Sequence, residues 1–392
     1  MNKNYQIILY GATGFTGKLC AEYFRENYPD LNWAIAGRNK NKLEALKSEL
    51  NLDCDIFVAD SDDYEAIKNF VKQTKVVLSA AGPFARYSTK VVEACVECKT
   101  HYTDITGENH WVKGLIDRFH EKAALDGTRI VPSCGYDSIP SDLGVYFSVT
   151  RSNQPVTHVT VYHSAKGGAS GGTTETMFTM GPLPKEMRDP FLLNPQDSVS
   201  ETQKRKSLDN FSVKPIPGTD AFSGMGLMAF ANTRVVRRSS ALFDLNQKSY
   251  GPDFTFKELG SYPSKAAARI TSLVLMSAFL VIATPLRYLV RPLLPKPGDG
   301  PDKEARDNGW FRGLFIAELE DGSEKRFEIY GSGDPGYKST SKMVCEAALT
   351  LAFSDDLPFG NEFGGVLTSA VGLGDPLISR LMKAGITFEA LS

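Results

Sequence analysis

Three spaced glycines and one arginine carry the clearest chemistry in this chain. The run YQIILYGATGFTG sets Gly11, Gly14 and Gly17 directly after an apolar segment and directly before a helical pattern. A strand–turn–helix with that spacing cradles a pyrophosphate: Gly11 permits the tight turn, Gly14 admits the backbone to the phosphates, and Gly17 lets helix and strand pack closely. The helix start adds free N–H groups and the positive end of its dipole. The expected cofactor contacts are Gly11, Ala12, Thr13, Gly14, Phe15, Thr16 and Gly17. At the end of the second apolar run an NAD site would carry Asp or Glu for the ribose 2′-hydroxyl. This chain has IAGRNKNK, with Arg38 at that point, and a guanidinium suits a 2′-phosphate. The spacing therefore predicts NADP over NAD. Asp60, closing VAD, is a candidate adenine contact, and Ala81, Gly82 and Pro83 in SAAGPFARYS are expected on the nicotinamide side.

The elements that must position these residues alternate short apolar runs with helical periods, the signature of a parallel sheet with crossover helices. Strands are predicted at 5–10, 33–36, 55–60, 75–82, 101–105 and 129–134, with helices at 16–27, 40–50, 64–72, 89–98 and 112–125. Six strands in this rhythm complete a doubly wound Rossmann sheet, assigned to 1–148. Beyond it the pattern changes. HVTVYHSA alternates as an antiparallel strand would, and FRGLFIAELEDGSEKRFEIYGSG reads as a hairpin turning at EDGS. Long Gly-, Pro- and charge-rich stretches between them read as loops framing a site. The fold class is α/β: a Rossmann domain, then an α+β domain with an antiparallel sheet over 149–335.

Bulk properties narrow the function. The chain has 392 residues, 44 Lys plus Arg against 46 Asp plus Glu, and a net charge of −2, which argues against a nucleic-acid partner. Hydrophobic residues at 42% and charged residues at 23% describe a folded protein. MNKNYQIILYG runs into the first strand without a small-residue cleavage site, and six scattered cysteines fit a reducing compartment, so a cytoplasmic location is expected. The pair in CVEC, Cys95 and Cys98, falls in a helical pattern and reads as packing; no histidine spacing predicts a metal. One segment stands apart: 270–286 carries no charge and lies between Arg269 and Arg287. Its length is at the short edge of a membrane span. Beside that span stand a buried helix, the favoured reading, and a helix pair dipping into one leaflet through 270–294, peripheral to a membrane, with Arg287 and Arg291 at the headgroups.

ILYGATGFTGKLCAEYF, IAGRNKNKL, AAGPFARYSTKVVEACVECKTHYTDITGE and SCGYDSIPSDLGVYF together resemble the saccharopine dehydrogenase-like oxidoreductases. PKPGDGPDKEARDNGWF, GDPGYKSTSKMVCEAALTL and GGVLTSAVGLGDPLISRLMKAGITF resemble the branch containing the trans-acting enoyl reductases of lipid biosynthesis. The resemblance spans nearly the whole chain. It implies C-terminal helices over 336–392 that pack back on the Rossmann domain. It also implies a nicotinamide-dependent oxidoreductase whose small-molecule substrate is lipid-like, an acyl or polyketide derivative.

Reducing an enoyl or carbonyl group takes a hydride from the cofactor and a proton from a protein acid or water. HYTDITGE offers His101, Tyr102, Asp104 and Glu108, and SCGYDSIPSD offers Cys134, Tyr136, Asp137, Ser138 and Asp142. Tyr136 and Tyr102 are the candidate proton donors, with Asp137 orienting one of them. Against this stands a capping role for Asp137, Ser138 and Asp142 at a helix starting near Leu143. Thr173 and Thr174 in KGGASGGTTETM are candidates for a substrate or phosphate contact. Two other functions remain open: an amino-acid or imine dehydrogenase using Arg234, Arg237 and Arg238 for substrate carboxylates, or a membrane-associated nucleotide-binding scaffold without turnover.

Overall fold

A computed structural model describes residues 3–168, 185–209, 211–291 and 300–391. Thr173, Thr174 and the 292–294 end of the apolar segment lie outside them. Two sheets organise the chain. The first is wholly parallel and seven-stranded, in the order β12-β6-β5-β4-β1-β2-β3. Its strands are β1 (Tyr5–Tyr10), β2 (Trp33–Gly37), β3 (Asp55–Val58), β4 (Thr74–Ser79), β5 (His101–Asp104), β6 (Arg129–Val131) and β12 (Gly365–Val366). Alternate residues of β1 enter opposite cores: Ile7 and Leu9 join one cluster, Ile8 and Tyr10 the other. That is why these strands read as continuous apolar runs. The six predicted strands are present, and the seventh comes from far along the chain.

The second sheet runs β13-β11-β10-β7-β9-β8. It comprises β7 (Val156–Lys166), β8 (Phe222–Gly224), β9 (Thr255–Tyr262), β10 (Trp310–Leu319), β11 (Glu324–Ser332) and β13 (Ile386–Leu391). The β10–β11 hairpin turns where EDGS predicts. The sheet is mixed, because β7 pairs antiparallel with β10 and parallel with β9. Alternation reveals one buried face and is silent on the direction of the neighbour.

The helix Ile139–Thr150 lies between the two sheets, starting four residues before Leu143, the start expected from capping. No side chain caps its start. Asp142 does something else: it accepts from the Ala370 N–H (2.7 Å), from Ser369 Oγ (2.8 Å) and from Ser239 Oγ, tying this helix to two others. A Cβ at Gly144 would overlap the ring of Phe315 on β10, so glycine lets the second sheet rest on the helix backbone.

The final segment serves both sheets, through β12 in the first and β13 in the second. Its helix Thr340–Phe353 is buried over nearly its whole length in the core of the first sheet. Glu346 on that helix accepts from Tyr23 Oη (2.7 Å), Tyr28 Oη (2.5 Å) and Arg380 Nε (2.8 Å), joining the first helix, Phe15–Asn27, to the last, Gly374–Lys383. Glu346→Ala strands two phenols and a guanidinium and is expected to cost about 2–4 kcal/mol. A lowered thermal unfolding midpoint measures it, and an unchanged midpoint refutes the role assigned to Glu346.

Candidate active site

The first sheet reverses its strand order between β1 and β4, and the loops after these two strands meet there. Gly11 has φ +82°, and a Cβ on it would stand 2.7 Å from the Ala81 backbone nitrogen. A Cβ on Gly17 would overlap the Gly11 carbonyl oxygen. Both positions therefore exclude side chains by geometry. The helix Phe15–Asn27 begins at Gly14 with no side chain on its first N–H groups and no acid in its first turn. Thr13 and Gly14 are exposed, Phe15 and Thr16 half-buried, and Ala12 buried. A pyrophosphate fits this arrangement of bare amides and absent side chains. Ala81 and Pro83 are half-buried and Gly82 exposed on the facing loop. Glu108 accepts from the N–H groups of Phe84 (2.7 Å) and Ala85 (3.1 Å), so this candidate carboxylate holds that loop in shape.

Arg38 stands exposed just past β2. Asp60 is also exposed and accepts from the Asp62 N–H (3.0 Å), forming a turn after β3. Burial and the Asp60 charge raise the Tyr10 phenol to about 12, with Arg38 opposing them, which puts both residues near the Tyr10 ring at the carboxyl end of β1. A cover that the sequence did not disclose comes from far along the chain. Tyr337 packs edge-on against Phe15 at 5.2 Å, and the Arg306 guanidinium lies 5.6 Å from the same ring.

The residues expected on the substrate side separate into two groups. Tyr136 and Asp137 follow β6 at its carboxyl end, with the Tyr136 N–H donating to Thr340 Oγ1 at 3.0 Å. They face a buried polar cluster: Ser141 donates to Glu258 Oε2 (2.7 Å), Asn232 Nδ2 donates to Glu258 Oε1 (2.9 Å), and Ser138 Oγ donates to Asn232 Oδ1 (3.2 Å). Ser141 Oγ also lies 2.9 Å from His163 Nε2, and the Tyr136 ring is 6.3 Å from the His163 ring. Tyr102 is corrected out of this group. Its ring is wholly buried in the opposite core of the sheet, with its hydroxyl near Asp104, Ser79 and Ser88, so a substrate has no route to it. Asp104 braces the chain after β6 by accepting from the N–H groups of Thr106 and Ser133, both at 2.9 Å. His101 accepts from the Arg129 N–H at 3.0 Å. Cys95 and Cys98 are free thiols on the helix Thr89–Glu97 and at its end, and Cys95 is fully buried.

Glu258, His163 and Asn232 escaped the sequence reading. The signal was present in part. Val159, Val161 and His163 alternate on β7, as Phe256 and Glu258 do on β9, so two polar residues occupy inward positions of apolar strands. Only the pairing of β7 with β9 brings them together.

Burial governs the electrostatics. It raises Asp137 to about 7, with the Glu258 charge adding to it. Burial likewise raises Glu258 to about 7 against the opposing hydrogen bonds from Ser141 and Asn232, and it pushes His163 down to about 4, leaving a neutral imidazole. Burial and the Glu258 charge also raise the Tyr136 phenol, which keeps its proton. Such a group of displaced acids marks a candidate place for proton chemistry.

Rossmann order and a bare glycine turn at the switch point define a dinucleotide-binding fold, and the likeness to known proteins makes it that of an NAD(P)H-dependent oxidoreductase. Residues 7–131 match the family model of the saccharopine dehydrogenase NADP binding domain. The chain is 34% identical to a putative trans-acting enoyl reductase of Mycobacterium tuberculosis, over 99% of this chain and 97% of that one. It is 32% identical to a trans-acting enoyl reductase of Mycobacterium ulcerans, over 99% and 98%. Among solved structures, the saccharopine dehydrogenase (L-Glu forming) of Saccharomyces cerevisiae superposes with TM-score 0.55 at 14% identity, covering 99% of this chain and all of that one. The homospermidine synthase of Legionella pneumophila, in complex with NAD, gives 0.55 at 9% identity, covering 100% and 92%. These two share the fold. The chain belongs to the saccharopine dehydrogenase-like oxidoreductases, alongside the trans-acting enoyl reductases, and its cofactor is NADP.

Glu258 binds its proton more tightly folded than unfolded, so its contribution to stability is full below the ordinary carboxylate range and is lost as pH rises through about 7. Glu258→Gln removes that loss. The variant is expected to gain on the wild type by on the order of 2 kcal/mol between pH 5 and pH 8. Thermal unfolding across this range checks it; parallel pH profiles refute the raised pKa of Glu258.

Proposed function

We propose that this protein uses NADPH to reduce an enoyl or carbonyl group of a lipid-like, acyl- or polyketide-derived substrate. The observation that carries this reading is the position of Glu258. Glu258 borders a cleft lined by Leu208, Phe211, Met225, Ala229 and Phe230, with Asp209, Arg237 and Lys257 also on its wall, and the Glu258 charge acts on Tyr136 and Asp137. An apolar chain lying along these side chains would have its polar end near Glu258. The names of the mycobacterial relatives support the enoyl class.

In this reading the turn from Gly11 to Gly17 binds the pyrophosphate, Arg38 takes the 2′-phosphate, Asp60 borders the adenine, and Ala81, Gly82 and Pro83 line the nicotinamide side. The bound nicotinamide supplies a hydride to one carbon of the substrate double bond. The proton for the neighbouring atom comes from this chain. Asp137 near neutrality is a carboxyl able to give it, and Tyr136 beside it is a neutral phenol that donates a hydrogen bond to the developing negative charge. Glu258 keeps Asp137 protonated to higher pH by like-charge repulsion.

An amino-acid substrate would need free guanidinium groups for its carboxylates. Arg234 and Arg237 pair with Asp209 at 2.6 and 3.2 Å, and Arg238 donates to the carbonyls of Leu193 and Val366 at 2.5 and 2.7 Å. All three already serve the fold, which favours the lipid-like class.

Two measurements test the proposal. Arg38→Glu is expected to weaken NADPH binding at least about tenfold while leaving NADH within a few-fold, read by fluorescence titration; an unchanged preference refutes the 2′-phosphate assignment. With enoyl and keto lipids, kcat/KM is expected to fall as pH rises through about 7, where Asp137 loses its proton. Asp137→Asn should lower kcat by about 10²–10⁴ and abolish that limb. NADPH binding with no turnover on any such lipid sinks the enzymatic reading in favour of a scaffold.

A further inference from the structure

The segment 270–286, expected to be buried, lies on the surface, and that correction opens a further reading. It forms most of the helix Lys265–Ile282, in which only Ala268 and Ser272 are buried. The exposed side chains include Ile270 (64%), Leu273 (61%), Val274 (59%), Met276 (50%) and Leu280 (67%). The chain turns beyond Pro285 and continues with Leu286, Tyr288 and Leu289, also exposed. Monomeric proteins rarely leave so continuous an apolar surface in water.

The helix is nonetheless fastened to the protein along one stripe. Ser272 Oγ accepts from the Met225 N–H at 2.9 Å, just past β8, and Phe279 meets Phe230 edge-on at 5.8 Å. A helix held this way cannot be surrounded by lipid, so it does not cross a bilayer; it can only lie along one. Its charges fit that placement. Between 265 and 291 the chain carries Lys265, Arg269, Arg287 and Arg291 and no Asp or Glu, and all four stand at the ends of the apolar run. Exposed Tyr288 beside Arg287 adds the amphipathic aromatic favoured at headgroup depth. A second copy of the chain docked on this face would set cationic ends near one another with no carboxylate from the segment to offset them.

We infer that residues 265–291 are a docking element for an anionic phospholipid surface: the outer stripe enters the acyl boundary and the four cations meet the headgroup phosphates. Phe230, which touches the helix through Phe279, also lines the cleft beside Glu258, so the docked face adjoins the substrate side. The docking itself is independent of the proposed reaction.

The test uses the full chain with NADPH and co-sedimentation with phosphatidylcholine vesicles, with or without about one-third phosphatidylglycerol. Binding to the anionic vesicles is expected, falling several-fold as salt is raised to about 0.5 M. Leu273→Asp with Leu280→Asp should lower it at least about tenfold, with NADPH titration unchanged as the check on folding. Arg269→Glu with Arg287→Glu should erase the preference for anionic over neutral vesicles. The inference falls if the wild type does not sediment with anionic vesicles, or if either double variant binds as the wild type does. It falls equally if sedimentation velocity shows a wild-type dimer that the aspartate variant dissociates while neither protein binds vesicles, which would assign the face to a second copy.

Discussion

The ring of Phe315 rests on the backbone of Gly144, and much of the molecule follows from that contact. The helix Ile139–Thr150 begins at the Tyr136–Asp137 end of the first sheet and carries the second sheet on its flank. With no side chain at 144, β10 approaches closely, and β7 and β9 come with it through their pairing. His163 and Glu258 thereby reach Ser141 in the first turn of the helix. A side chain at 144 would push the sheet outward and pull the polar cluster apart. Asp142, one residue beyond Ser141, holds the helix from the other side through Ser239, Ser369 and the Ala370 N–H. The site is therefore a seam between two sheets, set by packing density as much as by polar contacts.

Two kinds of buried carboxylate serve different ends. Glu346 is met by Arg380 and two phenols, a set that offsets its desolvation and joins the first and last helices. Glu258 is met by the Ser141 hydroxyl and the Asn232 amide and not by a cation, and burial raises both it and Asp137 to about 7. Carboxyls kept in that state cost stability as ions and gain the capacity to give up a proton near neutral pH. The fold bears this cost where the first sheet presents its carboxyl ends, at the place where a doubly wound sheet binds its ligands.

The Rossmann half was legible because its signals are local. Buried parallel strands are apolar runs, crossover helices have their own period, and a turn against a phosphate requires glycine. Tyr5–Tyr10 and the hairpin at EDGS could be read directly for the same reason. β12, two residues long, has too little sequence to show a period, and it exists only because Arg129 and Ile130 offer it a sheet edge. The fate of Tyr102 was equally hidden. Residues on either face of a strand look alike in sequence, and only the three-dimensional sheet separates Tyr102 from Tyr136.

By itself, the sequence determined the dinucleotide domain, its glycine turn, Arg38 just past the second strand, and an apolar segment bounded by arginines. These are properties of short windows, where backbone sterics and periodicity act on neighbouring residues. Tertiary structure alone decided that Glu258, His163 and Asn232 meet at Ser141, that Arg234, Arg237 and Arg238 are occupied within the fold, and that the apolar segment faces outward. Each of those outcomes depends on which distant surface covers a residue, and burial, which also raises the two carboxyls toward neutral pH, is a property no local window contains.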